Sequence, residues 1–240
     1  MSSGGAANPL LRAIVRVFNV EPDEAPAVLA GLSMFFLLFT GYFMLRPVRE
    51  TMGGAGGVDN LQWLFTATFM ATLVALPLHG WLASRVARRR ILPWTYGFFV
   101  LNLLAFAVGL IARPDNLWFA RSFYVWLSVF NLLTISLAWS VLADIFVTSQ
   151  AKRLFALMAG GASLGGLTGA VLGTLLVAPL GHAGLLLLSA VFPAGSACAA
   201  WWLQRWRDRD PLPQQETAAR RKPLGGNRFA GALPYSGRGT

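Results

Sequence analysis

Cysteine is nearly absent. Cys198 stands alone, which excludes an intramolecular disulfide and any cysteine-built metal centre. Charge is scarce too: only 12% of the 240 residues are Asp, Glu, Lys or Arg, against roughly 25% in ordinary globular domains. Acids are rarest, ten in all, and none falls in the middle of an apolar run. Two histidines, His79 and His182, are too far apart for ligand spacing, so no metal or cofactor is expected. The chain also lacks GxxxxGK[ST] and HExxH motifs and any pair of carboxylates inside an apolar run. That argues against ATP hydrolysis within the chain, against a zinc hydrolase and against an enzyme in general.

What remains is apolar. Hydrophobic residues make up 55% of the chain. They fall in charge-free windows long enough to cross a hydrocarbon core of roughly 30 Å, which takes about 20 helical residues. The windows predict an all-α membrane protein with six transmembrane helices, at about 25–46, 61–84, 91–112, 118–143, 154–178 and 184–204. The last two come from one uncharged stretch, Leu154 to Gln204, and the expected break is Pro179-Leu180-Gly181-His182-Ala183-Gly184. Helices are expected because they satisfy their own backbone groups in lipid.

The net charge of +10 fits orientation in a membrane rather than nucleic-acid binding, since the basic residues lie between the spans and form no basic face. With the N-terminus inside, sixteen of the twenty Lys and Arg residues fall on the inner side. Both termini are therefore expected in the cytoplasm. Residues 1–24 read as a cytoplasmic N-terminal segment, in which 9–19 suits either an amphipathic surface helix or a frayed end. Residues 205–240 are rich in Arg, Pro and Gly and read as a disordered basic tail.

Three patterns carry functional expectations. Arg46 and Arg49 lie three residues apart on one side of a helix end, followed by Glu50. Two guanidinium groups facing a cavity suit phosphate oxygens, because each is planar, permanently charged and bidentate. The same residues also suit snorkelling anchors at the headgroups. Gly161, Gly165, Gly169 and Gly173 make three successive GxxxG steps on one helical face, a pattern that lets helix backbones approach closely. The segment GWLASRVARRRIL, residues 80–92, places a basic cluster between the second and third spans.

That segment resembles the loop signature of the major facilitator superfamily. Gly80, Leu82, Ala83, Arg85, Arg88 and Arg89 match it, while Ser84 stands where the family usually has Asp and Ala87 where it has Gly. The resemblance implies the N-terminal six-helix half of a transporter that works by alternating access. It also implies a role for Gly80, Arg85, Arg88 and Arg89 in holding the inward gate, with Asp144 as a substitute acidic partner. YFMLRPVRE, residues 42–50, is similar to the end of the first helix in the ATP/ADP (NTP/NDP) translocase exchange family, as are parts of the second and fourth spans. This implies an antiporter of a nucleotide or another phosphorylated anion in a bacterial inner membrane, with Arg46, Arg49 and Glu50 at the solute. The family's acidic residue in the fourth helix has no counterpart, Ser128 being nearest. The superfamily places its fifth helix between the two halves, so the glycine ridge is expected to face a complementary six-helix half or a second copy. The final residues look like the start of a linker to a seventh helix, which leaves a truncated product, a frame-shifted product and a dimerising half-transporter open. The competing expectation is a non-transporting six-helix module that regulates a partner membrane protein.

Overall fold

The structure, a computed structural model, describes residues 25–55, 57, 61–85, 88–146 and 148–209, without the side chains of 82–84, 88–93, 144–145 and 148–153. The proposed amphipathic stretch 9–19 and the tail from 210 onward lie outside the described residues. Among those described, every regular element is an α-helix: α1 Ala25–Gly54, α2 Leu61–Arg85, α3 Arg88–Ala112, α4 Leu117–Ile145, α5 Thr148–Ser189 and α6 Val191–Arg209. By length and composition, five stretches of them are apolar enough to cross a membrane; the last is the 56-residue run Leu154–Arg209.

Local chemistry sets the helix limits. Pro26 stands in the first turn of α1, where its missing N–H costs no helical hydrogen bond. The Asn116 side chain caps α4 by accepting from the Trp118 and Phe119 amides at 3.0 and 3.2 Å. Hydroxyls inside the helices return to their own backbone. Thr40 donates to Phe36 O at 2.7 Å and Ser128 to Tyr124 O, so each is satisfied within its own helix.

Two limits differ from the sequence expectation. α1 does not stop near residue 46 but runs through Pro47 to Gly54, taking Arg49 and Glu50 into the helix. Thr51 Oγ1 donates back to Pro47 O at 2.9 Å, the usual return of a helical hydroxyl to the preceding turn. At the other end, α6 continues to Arg209, so residues 205–209 belong to a helix and not to the tail. Arg205 lies over the Trp201 ring at 3.7 Å and Arg207 over Trp206 at 5.1 Å, and basic residues suit a helix C-terminus.

The long final run is not straight. Gly181 has φ 65° and ψ 178°, outside helical space, two residues after Pro179. A positive φ of this kind is readily available only to glycine. The chain reverses there, as two buried clusters show. One cluster joins Val28, Met34 and Phe35 of α1 to Leu142, Leu154, Met158 and Leu203. The other joins Met44, Leu45 and Val48 of α1 to Leu103, Phe123, Leu127, Leu185 and Leu186, with Leu172 and Leu176 packed against it. Residues 154–176 therefore run alongside α1, and 185–203 run back beside it. The Ser196 hydroxyl fastens the return by donating to Met34 O at 3.0 Å, 162 residues away in sequence.

α1 is the centre of the bundle and packs against α4, α5 and α6. α2 is the outlier. It rests mainly on α4, and Phe69, Leu73, Val74 and Leu78 along it are exposed. Lipid tails solvate such a surface as well as protein would.

Candidate functional site

The glycine ridge determines how α1 meets α5. A Cβ added at Gly161 would lie 3.0 Å from Leu32 O, and one at Gly173 would lie 2.7 Å from Met44 O. At Gly165 and Gly169 it would run into the carbonyl oxygens of Phe36 and Thr40. Glycines at steps of four on α5 thus meet residues at steps of four on α1, backbone against backbone. The expectation that the ridge faces a complementary half is corrected. It is turned inward onto α1, because GxxxG spacing specifies a close neighbour without specifying which one.

Beside this seam the two helices part around a cleft of about 670 Å³. Phe39, Phe43, Arg46 and Glu50 line it from α1, one stripe at helical spacing. Ser163, Gly166, Ala170 and Thr174 line it from α5. The Phe39 and Phe43 rings stack with centroids 6.2 Å apart, and the Arg46 guanidinium carbon sits 5.8 Å from the Phe43 centroid. Arg46 is exposed to the cleft, and among the described residues no carboxylate pairs with it.

Arg49 is turned elsewhere. Its Nη2 donates to the Tyr124 hydroxyl at 3.0 Å, its guanidinium carbon lies 4.5 Å from that ring's centroid, and Glu50 is 3.6 Å away. Its side chain is 17% exposed, and its Nε is buried without a partner. Tyr124 is held in place: a Cβ at Gly53 would come within 2.8 Å of its ring, and Phe65 meets it edge-on at 6.5 Å. The structure therefore does not bring Arg46 and Arg49 into one cavity. At 3.6 residues per turn, three residues rotate a side chain about 60° away from its reference, while four leave it about 40° away on the other side. Glu50 follows Arg46 into the cleft, and Arg49 falls toward α4. Nothing in the sequence marked Tyr124, since a tyrosine in an apolar span carries no spacing signal.

The loop motif is divided between helices. Gly80 is exposed with open space where a Cβ would stand, and the Arg85 guanidinium carbon lies 4.7 Å from the Trp81 centroid. Arg88, Arg89 and Asp144 belong to helices, but their side chains lie outside the described ones, as do those that would show the suggested gate pairing. Among the described residues no group of three His, Cys, Asp or Glu is placed to hold a metal ion.

Long apolar helices packed around a central one point to an integral membrane protein. The chain belongs to the Major Facilitator Superfamily, whose family model matches residues 28–234. That match makes it a secondary transporter in general terms, from a family of transporters and not of enzymes. No curated protein and no solved structure matches it.

Proposed function

We propose that the chain moves a small anionic, phosphorylated solute, of which a nucleotide is the leading candidate, and that the solute binds in the cleft between α1 and α5. The supporting observation is the Arg46 guanidinium, unpaired among the described residues and set beside the stacked Phe39 and Phe43 rings. An unpaired cation in an apolar cleft favours an anion, and guanidinium geometry favours phosphate. Glu50, Ser163 and Thr174 supply acceptors for hydroxyl or amino groups on the rest of the solute. Arg49 serves indirectly, by fixing the end of α1 to Tyr124.

In this reading the run Leu154–Arg209 is two spans joined at Gly181, which gives six in all, and both termini are cytoplasmic. Gly80, Arg85, Arg88, Arg89 and Asp144 form the inner gate. Alternating access needs a second bundle to rock against the first, supplied by a complementary six-helix half or by a second copy. The seam between α1 and α5 makes those two helices move as one body.

The test is exchange in proteoliposomes that contain the transporter with its complementary half, loaded with ADP and offered labelled ATP, inorganic phosphate or a neutral sugar. Uptake of a phosphorylated anion, lost in Arg46→Gln and partly kept in Arg46→Lys, supports the reading. Uptake that is unchanged in Arg46→Gln, or confined to neutral solutes, refutes it.

A further inference from the structure

We propose, resting on the reading that Arg46 holds an anion, that Phe39 and Phe43 are a stacking wall for a flat, unsaturated ring on the same solute. The cleft then selects base-bearing phosphates over pyrophosphate and sugar phosphates. Phenylalanines four residues apart share one side of a helix and commonly do no more than fill a core. These two line the cleft and are only partly buried. Their rings lie 18° from parallel with centroids 6.2 Å apart, so their faces are turned the same way.

Each ring is held by a neighbour. Phe35, fully buried, stacks on Phe39 at 6.4 Å and 22°, and Trp139 of α4 meets Phe35 edge-on at 4.6 Å. Tyr42 meets the Phe43 ring edge-on at 5.3 Å and 86°. The Arg46 guanidinium carbon ends the row, 5.8 Å from the Phe43 centroid. A wall fixed in this way loses little conformational freedom when a ligand lies on it.

α5 contributes small residues to the same cleft: Ser163, Gly166 and Ala170. Gly166 stands outside the glycine ridge, yet a Cβ there would lie 3.4 Å from Cδ2 and Cε2 of Phe43. A long side chain at that position would cover the Phe43 ring and take the place of a ligand. Along α1 the order of groups is ring, ring, cation, so a phosphate at Arg46 leaves the rest of the solute beside Phe43. The cleft, about 670 Å³, falls among small-molecule sites of roughly 300–1,000 Å³. An unsaturated ring offers a π face that stacks on phenylalanine, and a phosphate or a sugar does not.

The experiment is equilibrium binding of labelled ADP to the full chain in detergent, competed with unlabelled ADP, pyrophosphate or ribose 5-phosphate. Pyrophosphate carries the charge without the ring, and ribose 5-phosphate adds only the sugar. ADP should compete at about tenfold lower concentration than either, the gain expected from one base stacked on an aromatic wall. The double variant Phe39→Leu, Phe43→Leu keeps apolar side chains without flat faces. It should erase that gap and leave pyrophosphate binding as it was, while Phe43→Tyr should keep the gap. The gap is a ratio within one sample, so partial loss of folded protein does not imitate its loss. Arg46→Gln should weaken all three competitors. Equal competition by ADP and pyrophosphate in the wild type overturns the stacking wall and leaves the anion reading standing, as does a gap that survives the double variant. Binding of ADP and pyrophosphate that is unchanged in Arg46→Gln overturns the anion reading, and the selection built on it, even if the double variant weakens ADP. A folded wild type that binds no labelled ADP overturns both.

Discussion

Gly169 meets the Thr40 carbonyl so closely that no side chain fits between them. Thr40 is fully buried there, and its own hydroxyl is returned to Phe36 O, so the close contact leaves that polar group satisfied. The contact binds α1 to α5 along one seam, beside the cleft in which the solute is proposed to bind.

Gly165→Leu and Gly169→Leu should therefore damage the fold of the single chain before they affect any association. Overpacking costs about 1–3 kcal/mol per site even where side chains can adjust, and here the opposing atoms are backbone. The expected outcome is a large drop in melting temperature in detergent for the double variant and a smaller drop for Gly169→Ala. Gly160→Ala, where a Cβ meets nothing within 4 Å, should be neutral. A double variant that melts like the wild type but loses a crosslinked dimer would place the ridge at an intermolecular interface instead.

Tyr124 should matter through its hydroxyl as well as its ring. Tyr124→Phe removes the acceptor for Arg49 Nη2 and leaves the ring stacked, a loss of about 1.5–3 kcal/mol for a bond to a charged group. Tyr124→Ala should cost more by opening space beside Gly53 and Phe65. Thermal unfolding of the two variants in detergent separates these effects: a Tyr124→Phe variant as stable as the wild type would mean the hydrogen bond is unimportant, and equal losses in both would mean the ring is.

Orientation is checked with reporter fusions. Fusions at Asp59, Asp115 and His182 should read external, and fusions at Arg89 and Lys152 internal. An external reading at Arg89 would reverse the chain and remove the inner-gate role from the loop after α2.

The Asn116 cap gives a local test of helix entry. Asn116→Ala leaves the Trp118 and Phe119 amides without their acceptor and should cost about 1 kcal/mol. Asn116→Asp should retain the cap, and stability of the two variants by thermal unfolding should differ accordingly.

The course of the chain was legible wherever charge was. Arg85 and Arg88–Arg90 mark the turn after α2, and Pro179 with Gly181 marks the reversal, because both signals are local. The end of α1 lay beyond the charge-free window that marked its span, because Arg46, Arg49 and Glu50 close the window without ending the helix. The face of the glycine ridge was readable from spacing; its neighbour was not, because many helices could approach a small-residue face. Arg46 and Arg49 looked like a pair for the same reason. Helical spacing says which residues share a side, and it took the Tyr124 hydroxyl on α4 to draw one of them away.

The central claim is that solute binds beside Arg46 between α1 and α5, and protection from labelling tests it most directly. In a Cys198→Ser background, Ser163→Cys places a thiol on the wall of the cleft lined by Arg46. A maleimide should modify it more slowly when ATP or ADP is present, and the protection should vanish on adding Arg46→Gln. Labelling that proceeds at the same rate with and without nucleotide, phosphate or any other phosphorylated anion would contradict the account.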